Sequence, residues 1–259
     1  MDSADQVDAD SGADLIEVVD SGLKPYMKGV HHGISFGVVV ENTSDQVLKD
    51  AKLKVTFRDS DGTDLLAQLA QDNDVDTDEL DQWKSVKIPS LAPGAETGFG
   101  GHTDIWMSTL YTDEGQLRPD RVDYDEVSIE IDMVSGELWP EDNDKYQFVD
   151  ISATDVTTFD GVKQKTYLDD TPVTSQSVEY VADLDACGKT ANLGSSGVLY
   201  DADGAIISGY TKPQPKGQIP FSPDSDVAYG DSDAWGPMDE DFTVDVYPYA
   251  APLKVNLKG

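Results

Sequence analysis

An internal repeat constrains the fold of this chain more than any other feature of its sequence. Residues 34–62 align without a gap with residues 176–204, and GHTDIW at residues 101–106 matches GDSDAW at residues 230–235. The offset between the copies is shorter for the second match than for the first, because the first copy carries an acidic insertion at residues 72–83. Self-similarity of this kind predicts a structural unit that occurs twice.

Hydrophobic residues alternate with a period of two along much of the chain. The clearest runs are residues 36–40, 53–57, 127–133, 149–153 and 242–246. Such alternation is typical of β-strands that bury one face, and turn-forming residues separate the runs. Helix candidates are few and short, at residues 64–71 and 77–83. Many short strands with few short helices predict an all-β fold made of β-sandwiches.

The repeat and the strand pattern together divide the chain. We predict a flexible acidic leader at residues 1–13, then a first β-sandwich domain at residues 14–138. A linker at residues 139–144 follows, where proline and a run of acids interrupt both patterns, and a second β-sandwich domain occupies residues 145–259. Because a linker this short spans little distance, we expect the domains to be in contact or restricted in orientation.

The charge of the chain narrows its possible partners. Its 259 residues include 51 Asp and Glu against 18 Lys and Arg, which gives a formal net charge of −33. A nucleic-acid binder needs a basic face for the phosphates, so this composition excludes general nucleic-acid binding. No apolar run is long enough for membrane insertion by this segment, and the charge repels a second copy, so we predict a monomer.

The high charge should also make stability depend on salt. Repulsion between carboxylates opposes the compact state, and screening acts over about 8–10 Å at physiological ionic strength. We therefore expect the melting temperature to rise as sodium chloride is added at neutral pH. Thermal melts at several salt concentrations measure this, and a melting temperature that stays constant would contradict the prediction.

Residues for catalysis or metal binding are scarce. The single cysteine, Cys187, excludes an intrachain disulfide and a CxxC zinc site, and three histidines supply little material for metal or acid–base chemistry. GSSG at residues 194–197 is one residue short of the G-x-S-x-G motif of serine hydrolases. Cys187 and the histidines lie in different copies of the repeat. We therefore predict no enzyme activity, no cofactor and no metal-ligand motif.

Two acidic segments leave open a calcium-stiffened surface adhesin. Carboxylates lie at alternate positions within residues 72–81, and residues 141–144 place further acids at the linker. The first segment lacks a glycine that could wrap the loop around an ion. DSDGTD at residues 59–64 looks like the start of a calcium loop, but its glycine falls at the wrong position, so a β-hairpin turn is predicted there.

The paired Asp-x-Trp segments are the best candidates for a ligand site. Asp104 and Trp106 of the first copy correspond to Asp233 and Trp235 of the second. A tryptophan ring can stack on the apolar face of a sugar while a carboxylate accepts hydrogen bonds from its hydroxyls. The alternative is that each tryptophan closes one end of its sandwich. The tryptophan is present in both copies. This favours the core role, because every copy needs a residue that fills the end of its core, whereas a ligand site is not needed in every copy.

The repeat resembles FxLYD-type domains. In the first copy the resemblance lies in ENTSD at residues 41–45, the strand at residues 53–57, the Asp-x-Asp-Gly turn after it and LAPG at residues 91–94. In the second copy VLYD at residues 198–201 carries the motif almost literally. The first copy departs from the motif with FRD at residues 57–59.

This resemblance implies two tandem immunoglobulin-like β-sandwich domains in a secreted bacterial protein, often a lipoprotein, without family catalytic residues. The acidic leader suits a mature secreted chain, and a lipid anchor would lie upstream. We therefore expect a non-catalytic extracellular or cell-envelope protein that acts as a binding or spacer module, with an unknown protein or carbohydrate ligand. The alternatives are a carbohydrate-binding or glycoside-processing protein that uses the Trp and Asp residues, and the calcium-stiffened adhesin.

Overall fold

The computed structural model describes the following parts of the chain: residues 4–8, 12, 14–28, 31–67, 85–105, 124–148, 151–164, 173–184, 193–211, 233–237 and 242–254. Most of these residues lie in antiparallel β-strands, which confirms the all-β prediction. No helix within the described ranges is long and apolar enough to cross a membrane.

Two sheets make up the first half of the chain. Its strands are β1 (Asp5–Asp8), β2 (Ile16–Lys28), β3 (His31–Asn42), β4 (Val47–Arg58), β5 (Ser85–Leu91), β6 (Glu96–Ile105) and β7 (Ser128–Trp139). One sheet has the order β1-β7-β4-β5 and the other β2-β3-β6. A 3-10 turn at Tyr124–Glu126 precedes β7.

The second half contains the remaining strands. They are β8 (Tyr146–Gln147), β9 (Ile151–Gln164), β10 (Val173–Leu184), β11 (Leu193–Tyr200), β12 (Ile206–Thr211), β13 (Asp233–Pro237), β14 (Thr243–Ala250) and β15 (Leu253–Lys254). Two three-stranded sheets have the orders β12-β11-β14 and β13-β10-β9, and β15 pairs with β8.

A continuous hydrophobic core fills the space between the two sheets of the first half. The buried residues that β3 and β4 contribute to it are Ile34, Phe36, Val38, Val40, Leu48, Ala51, Leu53, Val55 and Phe57. The rings of Phe36 and Phe57 meet edge to face with centroids 5.1 Å apart. The alternating runs predicted at residues 36–40 and 53–57 therefore bury the faces that their pattern indicates.

The duplicated segment takes the same course in both halves. β3 and β10 begin and end at equivalent positions of the repeat, and β4 and β11 end at its equivalent residues Arg58 and Tyr200. β4 lies between β7 and β5, just as β11 lies between β14 and β12. This shared strand order agrees with a duplication. The assignment of two immunoglobulin-like domains at residues 14–138 and 145–259 stays a prediction.

The same tight turn follows β4 and β11. The carboxylate of Asp59 accepts hydrogen bonds from two backbone N–H groups of its turn, and Asp201 does the same in the second copy. Gly62 and Gly204 close these turns with φ of 78° and 83°. The tight turn predicted at residues 59–64 is therefore confirmed, with its carboxylate hydrogen-bonded to the backbone. It does not form a β-hairpin of two strands, because a helix follows the single bridge between Arg58 and Asp64.

Both turn glycines should resist replacement. A left-handed φ costs a side-chain-bearing residue about 1–2 kcal/mol, so we expect Gly62→Ala and Gly204→Ala each to lower the free energy of unfolding by about 1 kcal/mol or more. Nothing lies within 4 Å of either added Cβ, so the cost comes from the backbone alone. Urea denaturation measures it. Asparagine tolerates this conformation, so Gly62→Asn should cost less than Gly62→Ala, and the reverse order would contradict the explanation.

Residues 5–8 belong to a sheet rather than to a flexible leader. β1 pairs antiparallel with β7, with Asp5 opposite Leu138 and Asp8 opposite Ser135. Val7 is buried and joins the hydrophobic core. Composition alone predicted a tether because acidic and small residues predominate there. The correction arises because one apolar side chain in DQVD can enter the core while the polar residues around it stay exposed.

The helix predicted at residues 64–71 is described only at its start. Residues 65–67 are helical, and the Asp64 carboxylate caps them by accepting two backbone N–H hydrogen bonds of 3.1 Å. Residues 68–84 lie outside the described residues. The second predicted helix and the acidic segment at residues 72–81 are among them.

Candidate functional site

The two halves pack face to face through a second buried layer. On β3, side chains that alternate with the hydrophobic core meet the second half instead of solvent. Val39 packs with Val198 and Ile206, and all three are buried. Ser35 Oγ donates a 2.7 Å hydrogen bond to the carbonyl oxygen of Ile207. Much of β3 is therefore buried on both faces.

Glycines let the facing sheets come this close. A Cβ atom on Gly37 would lie 2.5 Å from the carbonyl oxygen of Ser208, and one on Gly100 would lie 2.5 Å from the Cα of Gly209. Real Cβ atoms essentially never approach other atoms within 3.0 Å. Thr211 Oγ1 also donates a 3.1 Å hydrogen bond to the carbonyl oxygen of Gly100. Backbone atoms of both halves therefore form this contact.

A cleft of about 880 Å³ opens beside this contact, where the linker joins the halves. The turn between β5 and β6 forms its wall in the first half, while β14 and the start of β9 form its wall in the second. Glu141 and Asn143 of the linker lie along it. Ligand pockets commonly have volumes of about 300–1,000 Å³ and often lie at domain junctions. The cleft is the strongest candidate site in the described part of the chain.

Aromatic rings and carboxylates give the cleft its chemical character. Tyr146, Phe148 and Tyr247 supply rings to its lining, and Glu96 and Glu141 supply carboxylates. No Lys, Arg or His is among its described lining residues. An aromatic face next to a carboxylate suits a positively charged group carried on an apolar stem.

A cluster of aromatic and charged residues holds the linker against the first half. The buried Trp139 meets the ring of Tyr146 edge to face, with centroids 4.9 Å apart. Lys49 Nζ lies 4.9 Å from the centre of the Tyr146 ring and 3.1 Å from Oε2 of Glu137. Trp139 Nε1 donates a 2.8 Å hydrogen bond to the same oxygen. The linker side of the cleft is therefore fixed in place.

The charges in this cluster are stabilised by their partners. The hydrogen bond from Trp139, with help from Lys49, lowers the pKa of Glu137. Burial disfavours the charged form of Lys49, yet its hydrogen bonds to Asp50 and Glu137 raise the pKa of Lys49 above its ordinary value. Both groups therefore stay charged at neutral pH and hold the cluster together, rather than exchanging protons with a ligand.

Tyr247 links the cleft to the contact between the halves. It lines the cleft, packs on the buried cluster around Val39, and its ring occupies the space beside Gly98. Burial raises the pKa of Tyr247 above its ordinary range, and the neighbouring Tyr200, Asp245 and Glu96 raise it further.

This raised pKa predicts a loss of stability in alkali. The folded state holds the phenol proton of Tyr247 more tightly than the unfolded state, so the stabilisation is complete below the unfolded pKa of about 10 and is lost as the pH rises above it. Tyr247→Phe removes this dependence. We expect the variant to lose less stability than the parent between about pH 9 and about pH 11.5.

Urea denaturation at a series of pH values measures the difference. Tyr146→Phe is the matched control, because it removes a phenol hydroxyl that lines the cleft without joining the buried cluster around Val39. Equal alkaline losses in Tyr247→Phe and in the parent protein would contradict the prediction.

The structure gives a backbone position to three of the four predicted ligand residues. Asp104 lies opposite Gly33 near the end of β6. Asp233 and Trp235 lie on β13. Trp106 lies outside the described residues, as do the side chains of the other three. Their role in binding a ligand or in filling the core stays a prediction.

Strand pairing shifts the tryptophan match by two residues. Trp235 lies opposite Ser175, which stands one residue before the gapless repeat and corresponds to Gly33 at the same offset of 142. Gly33 in turn lies opposite Asp104 rather than Trp106. Trp235 therefore occupies the strand position of Asp104. The sequence match does not reflect equivalent sheet positions, so retention of the tryptophan no longer favours a common core role.

The described residues contain no group of three or more His, Cys, Asp or Glu side chains placed to hold a metal ion. At the linker, Oδ1 of Asn143 accepts hydrogen bonds from the backbone N–H groups of Lys145 and Tyr146. The other proposed calcium segment, residues 72–81, lies outside the described residues, and so does Cys187.

The cleft has no distinct motif in the sequence. The available signal was a clustering of aromatic residues around the linker: Tyr-x-Phe follows it at residues 146–148, and Tyr-Pro-Tyr occurs at residues 247–249. In sequence these segments are far apart. Only the packing of the halves brings them to one cleft.

Comparison with known proteins assigns this chain to no family. No protein-family model, curated protein or solved structure matches it. The resemblance to FxLYD-type domains depends on the quoted motifs and stays a prediction.

Proposed function

We propose that this chain is a non-catalytic extracellular or cell-envelope protein that acts as a stiff binding or spacer module. The observation that supports this proposal is the close contact of Gly37 and Gly100 with backbone atoms of the second half. Domains joined by a flexible tether move relative to each other, and their facing surfaces stay in solvent. A buried contact and a short linker instead leave the two halves little freedom to move relative to each other. Such a unit sets a fixed spacing between attachment points and offers a permanent cleft to a partner.

Distances between spin labels test the stiffness. Asp61 and Asp203 are exposed residues of the two equivalent turns, and each can be replaced by cysteine in a Cys187→Ser background. We expect a single narrow distribution of label distances. Gly100→Ala should broaden it, whereas Gly101→Ala should leave it narrow. A broad distribution in the parent protein would contradict a spacer role.

The location outside the cell is supported by sequence features: the acidic composition, the single cysteine, the β-sandwich pattern and the resemblance to a family of secreted proteins. Fractionation of the source organism, followed by protease treatment of intact cells, tests it. We expect the protein in the envelope or medium fraction and accessible to the protease. Recovery in the protected cytosolic fraction would exclude this location.

A further inference from the structure

The cleft beside the linker has strand edges along its walls. β5, β6, β9 and β14 all line it, and each is the outermost strand of its sheet in the described strand order. An outermost strand turns one row of backbone N–H and C=O groups away from its sheet, and extended peptides bind such edges by adding a strand. The cleft therefore offers backbone hydrogen bonds in addition to side-chain contacts.

One contact across the cleft indicates that the edge of β14 faces into it. Ser90 Oγ, on the first-half wall, donates a 3.1 Å hydrogen bond to the carbonyl oxygen of Ala250 at the end of β14. Residues 246–250 of this strand line the cleft. At about 3.3 Å per residue, this length matches an extended peptide of about five residues. Because Ala250 turns its carbonyl oxygen into the cleft, Val246 and Pro248 turn their backbone groups the same way. Pro248 has no N–H, so this edge offers a peptide the N–H groups of Val246 and Ala250 and the carbonyl oxygens of Val246 and Pro248.

The charge of the lining selects the kind of peptide. Glu96 and Glu141 lie in the cleft, and the whole chain carries a formal net charge of −33. Lys49 already lies against the Tyr146 ring, but a Lys or Arg side chain can lay its stem along the rings of Phe148 and Tyr247 and bring its charge to a carboxylate. An acidic segment would place like charges together and is disfavoured.

We propose that this cleft binds an extended, basic peptide segment, which adds as a strand along β14 and places a Lys or Arg side chain at Glu96 or Glu141. The inference rests on the proposed binding role and names the chemical class of the partner. No covalent step is involved.

A labelled peptide that alternates valine and lysine over about six residues tests the proposal on the full chain, by fluorescence anisotropy at low salt. Replacing its lysines by glutamine should weaken binding about tenfold or more, and replacing them by glutamate should abolish it. Two methylated peptides test strand addition, because an added strand uses the backbone N–H groups of only one edge. Methylation of the nitrogens on that edge should abolish binding, and methylation of those on the other edge should leave binding unchanged.

Protein variants locate the site. Glu96→Gln and Glu141→Gln together should weaken binding of the lysine peptide about tenfold or more, because they remove charge-assisted hydrogen bonds. Asp61→Asn and Asp132→Asn together are the matched control: they also remove two exposed negative charges, but outside the cleft, and should leave binding unchanged.

Four results would overturn the inference. They are equal binding of the glutamine and lysine peptides, unchanged binding in the double variant, preferential binding of a neutral chitin oligosaccharide, and no binding of any probe. The spin-label distances are measured without a ligand. A narrow distribution together with no peptide binding would refute the basic-peptide partner and leave the stiff spacer in place.

Discussion

Replacement of Asn42 by aspartate should lower the free energy of unfolding by about 4 kcal/mol. Asn42 is fully buried at the end of β3. Its Nδ2 donates to the carbonyl oxygens of Gln46 and Leu91 at 2.9 Å and of Ala92 at 3.2 Å. Its Oδ1 accepts from the backbone N–H and the hydroxyl of Ser44. The carboxylate of an aspartate can still accept the two hydrogen bonds from Ser44. Its other oxygen cannot donate, so the three carbonyl groups lose their hydrogen-bond donor.

Each carbonyl that loses its donor in a buried site costs about 1–3 kcal/mol, which makes this single-atom change one of the most damaging we expect. Chemical denaturation at pH 7 measures the loss. Asn143→Asp is the matched control, because Asn143 is only half-buried and its Nδ2 donates one hydrogen bond, to the carbonyl oxygen of Pro140. It should cost less than about 1 kcal/mol, and similar losses at both positions would refute the role given to Asn42.

Gly100→Ala should lower the free energy of unfolding by about 3 kcal/mol, near the upper end for overpacked sites. The added methyl group would collide with the carbonyl oxygen of Phe36 and with the backbone of Gly209 in the other half. Both obstacles are backbone atoms of paired strands, so neither can move without disturbing its sheet. The cost therefore falls both on the pairing of β6 with β3 and on the contact between the halves.

Gly101→Ala provides the control for Gly100→Ala. It makes the same chemical change one residue along β6, where the added Cβ would lie 3.7 Å from the ring of Phe36, an ordinary contact distance. Loss of backbone freedom in the unfolded chain can even stabilise such a variant by about 0.4–1 kcal/mol. Scanning calorimetry compares the two variants. Equal melting temperatures for Gly100→Ala and the parent protein would contradict the close backbone packing described at Gly100.

Local chemistry was enough to predict the strands and turns. Phe36, Val38 and Val40 lie at every second position of β3, and burial of the face they share follows directly from that spacing. Gly62 and Gly204 occupy the positive-φ positions that their Asp-Gly turns require. These features depend on a few neighbouring residues, so a single sequence carries them.

Contacts between distant segments were beyond the same reasoning. Ser35 and Gly37 look like the solvent face of β3, because small and polar residues alternate there with the core. Their partners Ile207 and Ser208 lie in the other half, and no periodicity links them. The cleft was not predicted for the same reason. Its walls exist only after two sheets from different halves have packed.

The shared layer around Val39 also sets an order for folding. Every buried residue of the first core cluster comes from the first half, from Val7 to Met133. Val198 and Ile206 of the second half instead need Val39 to cover them. Because a chain emerges from the ribosome N-terminus first, the first half can close its core before β11 and β12 have been synthesised. The second half then folds against a surface of the first half that is already formed. Substitutions in β11 and β12 must therefore remain compatible with the surface around Val39.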